Sequence, residues 1–117
     1  MARIRSIKPS LWSDQRVAQL SRDARLLFLG LISSADDSGR FLASPQVILG
    51  YVYPHDRIPP AKIQKWLDEI ASVGLIVLYQ PNGLQYGAFR SGARHQRISH
   101  PQPSTIPAPP AIEGELW

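Results

Sequence analysis

A mainly α-helical domain finished by a small β-hairpin, an α+β arrangement, is predicted by three features of this chain. Residues 22–35 and 60–73 carry apolar side chains at helical spacing. Ser44-Pro45 marks the start of a shorter helix between them. Residues 75–89 are β-rich and turn back at Pro81-Asn82-Gly83, and Asn-Gly is a strong hairpin signal.

The first ten residues hold Arg3, Arg5 and Lys8 without an acid and read as an exposed basic arm. Ser13 is the expected cap of a short helix through Gln19, with Asp14 at its positive end and Trp12, Val17 and Leu20 as apolar contacts. Ser21 caps the main helix, and Asp23 lies in its first turn. Ala24, Leu27, Phe28, Leu31 and Ala35 form the core stripe, while Leu26, Leu29 and Ile32 add apolar surface on other sides. A helix this apolar is central to its domain or covers a second face in a partner, which motivates the expectation of a homodimer.

Ala35 to Arg40 reads as a turn, with Gly39 available for positive φ. Asp36 and Asp37 lack a third nearby ligand, so a turn is favoured over a metal site. Phe41 and Leu42 form a short strand. Ser44 and Pro45 open a helix with Val47, Ile48 and Tyr51 facing inward, and Pro54 ends it. Pro60 opens the next helix, whose stripe is Ile63, Trp66, Leu67, Ile70 and Val73; Gly74 follows it as the C′ residue. Beyond Arg90 the periodicity stops. Residues 1–92 are assigned to the domain and 93–117 to a basic, then proline-rich, extended tail.

Helix, short strand, helix, helix and hairpin occur in the order of a winged helix-turn-helix, with 60–73 in the recognition position and 75–90 as the wing. The chain also resembles small winged-helix proteins of actinobacterial phages and prophages, described as similar to the N-terminal domain of replication initiators. The resemblance rests on Arg3-Ile4-Arg5-Ser6-Ile7-Lys8-Pro9, Trp12, Leu20-Ser21, Ala24-Arg25-Leu26-Leu27-Phe28 and Ala35-Asp36-Asp37-Ser38-Gly39-Arg40. Pro54, Asp56, Gly74-Leu75-Ile76 and His95-Gln96-Arg97-Ile98-Ser99-His100-Pro101 complete it. It implies DNA binding at a replication origin. Initiators of this kind often continue into a second domain that engages the helicase, whereas here an acidic-aromatic segment, Glu113 to Trp117, follows the prolines.

Composition bears on function independently. The net charge is +4, and the chain before Glu113 and Glu115 carries +6, which suits a polyanionic partner. There is no cysteine, and His55, His95 and His100 are scattered, so no zinc set is suggested. Neither a Gly-x-Ser-x-Gly elbow nor a glycine-rich phosphate loop occurs, so an enzyme is not expected and no cofactor is implied. The longest apolar run, Leu26 to Ile32, is seven residues, well short of the ~20 that cross a bilayer, and a cytoplasmic protein of the bacterial host cell is expected.

Candidate DNA contacts follow from the winged-helix reading. Lys62, Gln64 and Lys65 lie outward near the start of the recognition helix, where Gln64 suits adenine and the lysines guanine or phosphate. Ser44 at a helix N-terminus, helped by Arg40 and Arg57, suits a positioning phosphate. Arg3, Arg5 and Lys8 at one end and Arg90, Arg94 and Arg97 at the other are expected to follow the backbone or enter a minor groove. The uncharged wing tip, Gln80 to Gly83, and the acidic-aromatic end keep a second class open: a phage-encoded, anti-CRISPR-like, protein-binding inhibitor of a host or defence system built on a winged helix, with the tail as a candidate ligand for a host or phage protein. A transcriptional regulator has the same sequence features.

Overall fold

Asp14, rather than Ser13, starts the first helix. The computed structural model describes residues 4–90 and 100–110. A 3-10 turn, Pro9–Ser13, precedes α1, Gln15–Ala18. The Ser13 hydroxyl donates back to the Ser10 carbonyl at 3.2 Å. The Asp14 carboxylate instead accepts the amides of Arg16 at 2.8 Å and Val17 at 3.4 Å. Its hydrogen bond from the Arg16 guanidinium holds the Asp14 carboxyl below its ordinary value. Val17 and Leu20 enter the core as expected, but Trp12 is 61% exposed and Leu11 packs on the core in its place.

Ser21 caps α2, Arg22–Ser34, by accepting the Ala24 amide at 3.2 Å. It also bonds Glu69 through both its amide and its hydroxyl, which ties this helix start to α4, Pro60–Ser72. The stripe Ala24, Leu27, Phe28, Leu31 and Ala35 is buried, and so is Ile32, while Leu29 is partly covered. Most of the helix's apolar girth is therefore absorbed inside this chain, and Leu26 is left 52% exposed. In α3, Pro45–Val52, Ile48 is wholly buried, but Val47 and Tyr51 are exposed, contrary to the inward face expected. Two turns of helix offer only a narrow covered stripe, and Ile48 with partly buried Leu49 and Val52 occupies it.

Helix α4 buries Ile63, Trp66, Leu67 and Ile70 against α2 and α3. It ends in a Schellman arrangement: Gly74 at φ +82° donates to Ala71, and Leu75 donates to Ile70. Three strands, β1 (Arg40–Leu42), β2 (Ile76–Tyr79) and β3 (Tyr86–Phe89), form an antiparallel sheet in the order β1-β3-β2. The return strand begins two residues later than the pattern suggests. Asn82 accepts the Leu84 amide in a local turn, and the Gln85 side chain leaves the sheet to bond the Ala43 carbonyl.

Alternation separates the two faces of this sheet. Phe41, Ile76 and Phe89 join the helical core, with Leu78 packed against it. Phe41 pairs with Gly87, and its ring lies where a Gly87 Cβ would stand. On the other face Tyr79, Tyr86 and Ala88 form a second apolar cluster with Leu42 and Val77. From the segment 100–110, Ile106 packs against that cluster, and the Ile106 and Pro107 carbonyls accept from Arg40 and Tyr79. This described part of the tail thus contacts the body of residues 4–90, and the expected boundary at 92–93 lies outside the described residues. Among the described residues, no helix is long and apolar enough to cross a membrane.

Candidate nucleic-acid interface

The orientation of α4 is set from its buried side. Ile63, Leu67 and Ile70 have no exposure, which turns Ala61, Lys62 and Lys65 outward. Lys62 and Lys65 are exposed, three residues apart on one face, and among the described residues their side chains make no ion pair or hydrogen bond. Arg57, in the loop that leads into α4, is exposed and equally uncommitted. The helix's positive N-terminal dipole adds to this field. Asp68, one turn beyond Gln64, accepts from the Gln64 amide at 2.9 Å.

Gln64 differs from its neighbours. It is half-buried, and its oxygen accepts from Gln85 Nε2 at 2.9 Å. Gln85 also donates to the Ala43 carbonyl at 2.8 Å. This amide ladder joins α4 to the hairpin and to the residue after β1. A bidentate grip on adenine would require breaking it, so the geometry makes Gln64 a brace between elements.

The remaining predicted cations divide by their surroundings. Arg5 is not on a free arm: its side chain is 4% exposed, and its guanidinium pairs with Asp37 at 2.9 Å and donates to the Ala35 carbonyl at 2.9 Å. Arg40 donates to the Ile106 carbonyl at 2.9 Å and so holds the tail rather than a phosphate. Lys8 is exposed beside the 3-10 turn, and Arg90 is half-buried at the end of β3; both have other contacts. Ser44 spends its oxygen on its own helix, accepting the Val47 amide at 3.5 Å. Arg3, Arg94 and Arg97, and the segment from Glu113 to Trp117, lie outside the described residues.

No known protein family, curated protein or solved structure matches this chain.

Chemistry at the surface is therefore read from the geometry alone. Among the described residues, the exposed cations with no side-chain partner are Lys62, Lys65 and Arg57, with Arg22 on α2. Among the described residues, no group of three or more His, Cys, Asp or Glu could hold a metal ion. The adjacent acids Asp36 and Asp37 are structural ligands of the chain itself. Asp36 accepts the amides of Ser38 and Arg40 and the Ser104 hydroxyl, and Asp37 takes Arg5 and the Gln102 amide. Sequence reasoning found the turn but missed these clients, which lie up to 68 residues away. The available signals were faint: one isoleucine among the prolines of 100–110, and two tyrosines placed for the same sheet face.

Proposed function

We propose that this chain is a winged helix-turn-helix protein that binds double-stranded DNA through the first turns of α4, as a phage or prophage factor in replication initiation. The element order and the strand order β1-β3-β2 support the winged-helix reading, with β2 and β3 as the wing. One observation carries the DNA reading: Lys62 and Lys65 stand exposed, with no side-chain partner among the described residues, on a helix whose opposite face is buried. Phosphate attracts such cations with little dependence on sequence, and a lysine at a recognition-helix start also suits guanine. The replication role rests on the sequence resemblance.

The test is a fluorescence-anisotropy titration of the full chain with duplex DNA across a salt series. Engagement of Lys62, Lys65 and Arg57 with three phosphates predicts a log–log slope of about −3, and Lys62→Ala/Lys65→Ala reduces it to about −1. Absence of duplex binding at about 50 mM salt, or an unchanged slope in the double variant, defeats the proposal.

A second reading, an inhibitor that binds a protein, is favoured by the hairpin tip. Residues 80–84 carry no charge, and Leu84 is 56% exposed. A wing that touches phosphate usually offers a cation, whereas an exposed leucine suits an apolar protein surface.

A further inference from the structure

The tail does more than cover the sheet, because its contacts have the form of ligand recognition. Residues 102–107 run from the turn at 36–37 to the outer face of the sheet with a defined chemical polarity. At one end the Gln102 amide donates to Asp37 at 2.8 Å, and the Ser104 hydroxyl donates to Asp36. In the centre Ile106 enters the apolar cluster of Leu42, Val77, Tyr79, Tyr86 and Ala88. At the other end two successive carbonyls are read by side chains: Arg40 donates to Ile106 at 2.9 Å, and Tyr79 donates to Pro107 at 2.8 Å. The two tyrosine rings stand 5.8 Å apart. Burial pushes the Tyr79 phenol above its ordinary pKa, which preserves it as a donor.

Proline explains the match. It has no N–H, so around Pro107 the segment presents acceptors, and Arg40 and Tyr79 on the sheet face supply donors there. The residue before a proline is confined to extended backbone, so Ile106 is pre-set for a flat binding face at low entropic cost. Aromatic side chains combined with side-chain donors to main-chain carbonyls are how grooves generally recognise proline-containing extended peptides.

We infer that the outer face of the sheet is a peptide-recognition site for an extended segment carrying an apolar residue immediately before proline. Residues 102–107 are its resident ligand in cis, and the occupant in trans is a segment of the same chemistry on a partner protein. Only Ile106 is read as a side chain in the apolar centre, and the two carbonyls beside it belong to the main chain, so the register transfers to other proteins. This inference does not depend on the DNA reading.

The test uses the full chain and a fluorescently labelled peptide with the sequence of residues 101–110. Ile106→Asp removes the resident ligand's apolar anchor and leaves the side chains of the sheet face unchanged. That variant is expected to bind the peptide at least about tenfold more tightly than the wild type, whose own tail competes at an effective concentration on the order of millimolar. Adding Arg40→Ala and Tyr79→Phe to Ile106→Asp should weaken peptide binding at least about tenfold, because both carbonyl contacts are lost while the ring is kept. Circular dichroism verifies the fold, and Ile106→Ala replaces Ile106→Asp if the latter unfolds. Equal binding by the wild type and the anchor variant, or no binding by a folded anchor variant at millimolar peptide, overturns the inference. A concentration-dependent dimer of the wild type that Ile106→Asp abolishes would also overturn it, by assigning the trans ligand to a second copy of this chain.

Discussion

Replacing Asp37 with alanine leaves the Arg5 guanidinium buried without its counter-ion. Both side chains are 4% exposed, and the pair closes at 2.9 Å. At that separation the gross attraction is about 6 kcal/mol for an effective dielectric near 20, most of it offset by desolvation of the two charges. The asymmetry arises when one partner is removed. The desolvation of Arg5 remains, and among the described residues its Nε has no hydrogen-bond partner and its Nη2 keeps the Ala35 carbonyl. Asp37→Ala also forfeits the bond from the Gln102 amide. A cost of about 3–5 kcal/mol is expected, against about 0–1 for an exposed pair. Urea unfolding followed by circular dichroism measures it, and the melting temperature should fall by on the order of 10–20 °C. The double replacement Arg5→Met/Asp37→Leu should recover most of the loss, since an apolar pair of similar volume carries no desolvation debt. A loss below about 1 kcal/mol for Asp37→Ala would show that water reaches the pair and would refute the argument.

Further predictions address other parts of the molecule. Gly87→Ala would drive a methyl group into the Phe41 ring and should cost about 1–3 kcal/mol in the same unfolding assay, unless the ring can tilt away freely. Ser21→Ala removes both the cap on the Ala24 amide and the hydroxyl bond to Glu69, and should cost about 0.5–2 kcal/mol with α2 otherwise unchanged. Burial, followed by the nearby charges of Asp23 and Asp56, pushes the Tyr53 phenol up to about 12. The unfolded chain ionises first, near 10.0, so this contribution to stability is whole below pH 10 and is lost as pH rises through about 12. Alkaline unfolding should therefore be less steep for Tyr53→Phe than for the wild type above pH 10, and titration of Tyr53 at its ordinary value in ultraviolet difference spectra would contradict this.

Much of the fold was legible because its signals are local. Ser21 and Ser44 cap the helices that follow them, Pro45 and Pro60 sit at helix starts, and Gly74 takes the positive φ that ends α4. The stripes of α2 and α4 were readable because helical spacing and burial are linked over a few residues. Errors arose where two local rules competed. Ser13 and Asp14 both qualify as caps, and it is the Asp14 carboxylate that accepts the Arg16 and Val17 amides. Val47 and Tyr51 share a face with helical spacing, yet nothing in their vicinity says that this face meets solvent.

The candidate interface divides along the same line. That Lys62 and Lys65 point away from the core follows from the spacing of Ile63, Leu67 and Ile70, and so was determined by the sequence itself. Which cations are already committed could not be read there. Arg5 finds Asp37, Arg40 finds Ile106, and Gln64 finds Gln85, across separations of 21 to 66 residues. Along the chain every arginine carries the same charge. Only chain closure, which brings the turn at 36–40, the sheet and the tail together, decides which charges are neutralised inside the molecule and which remain for a partner.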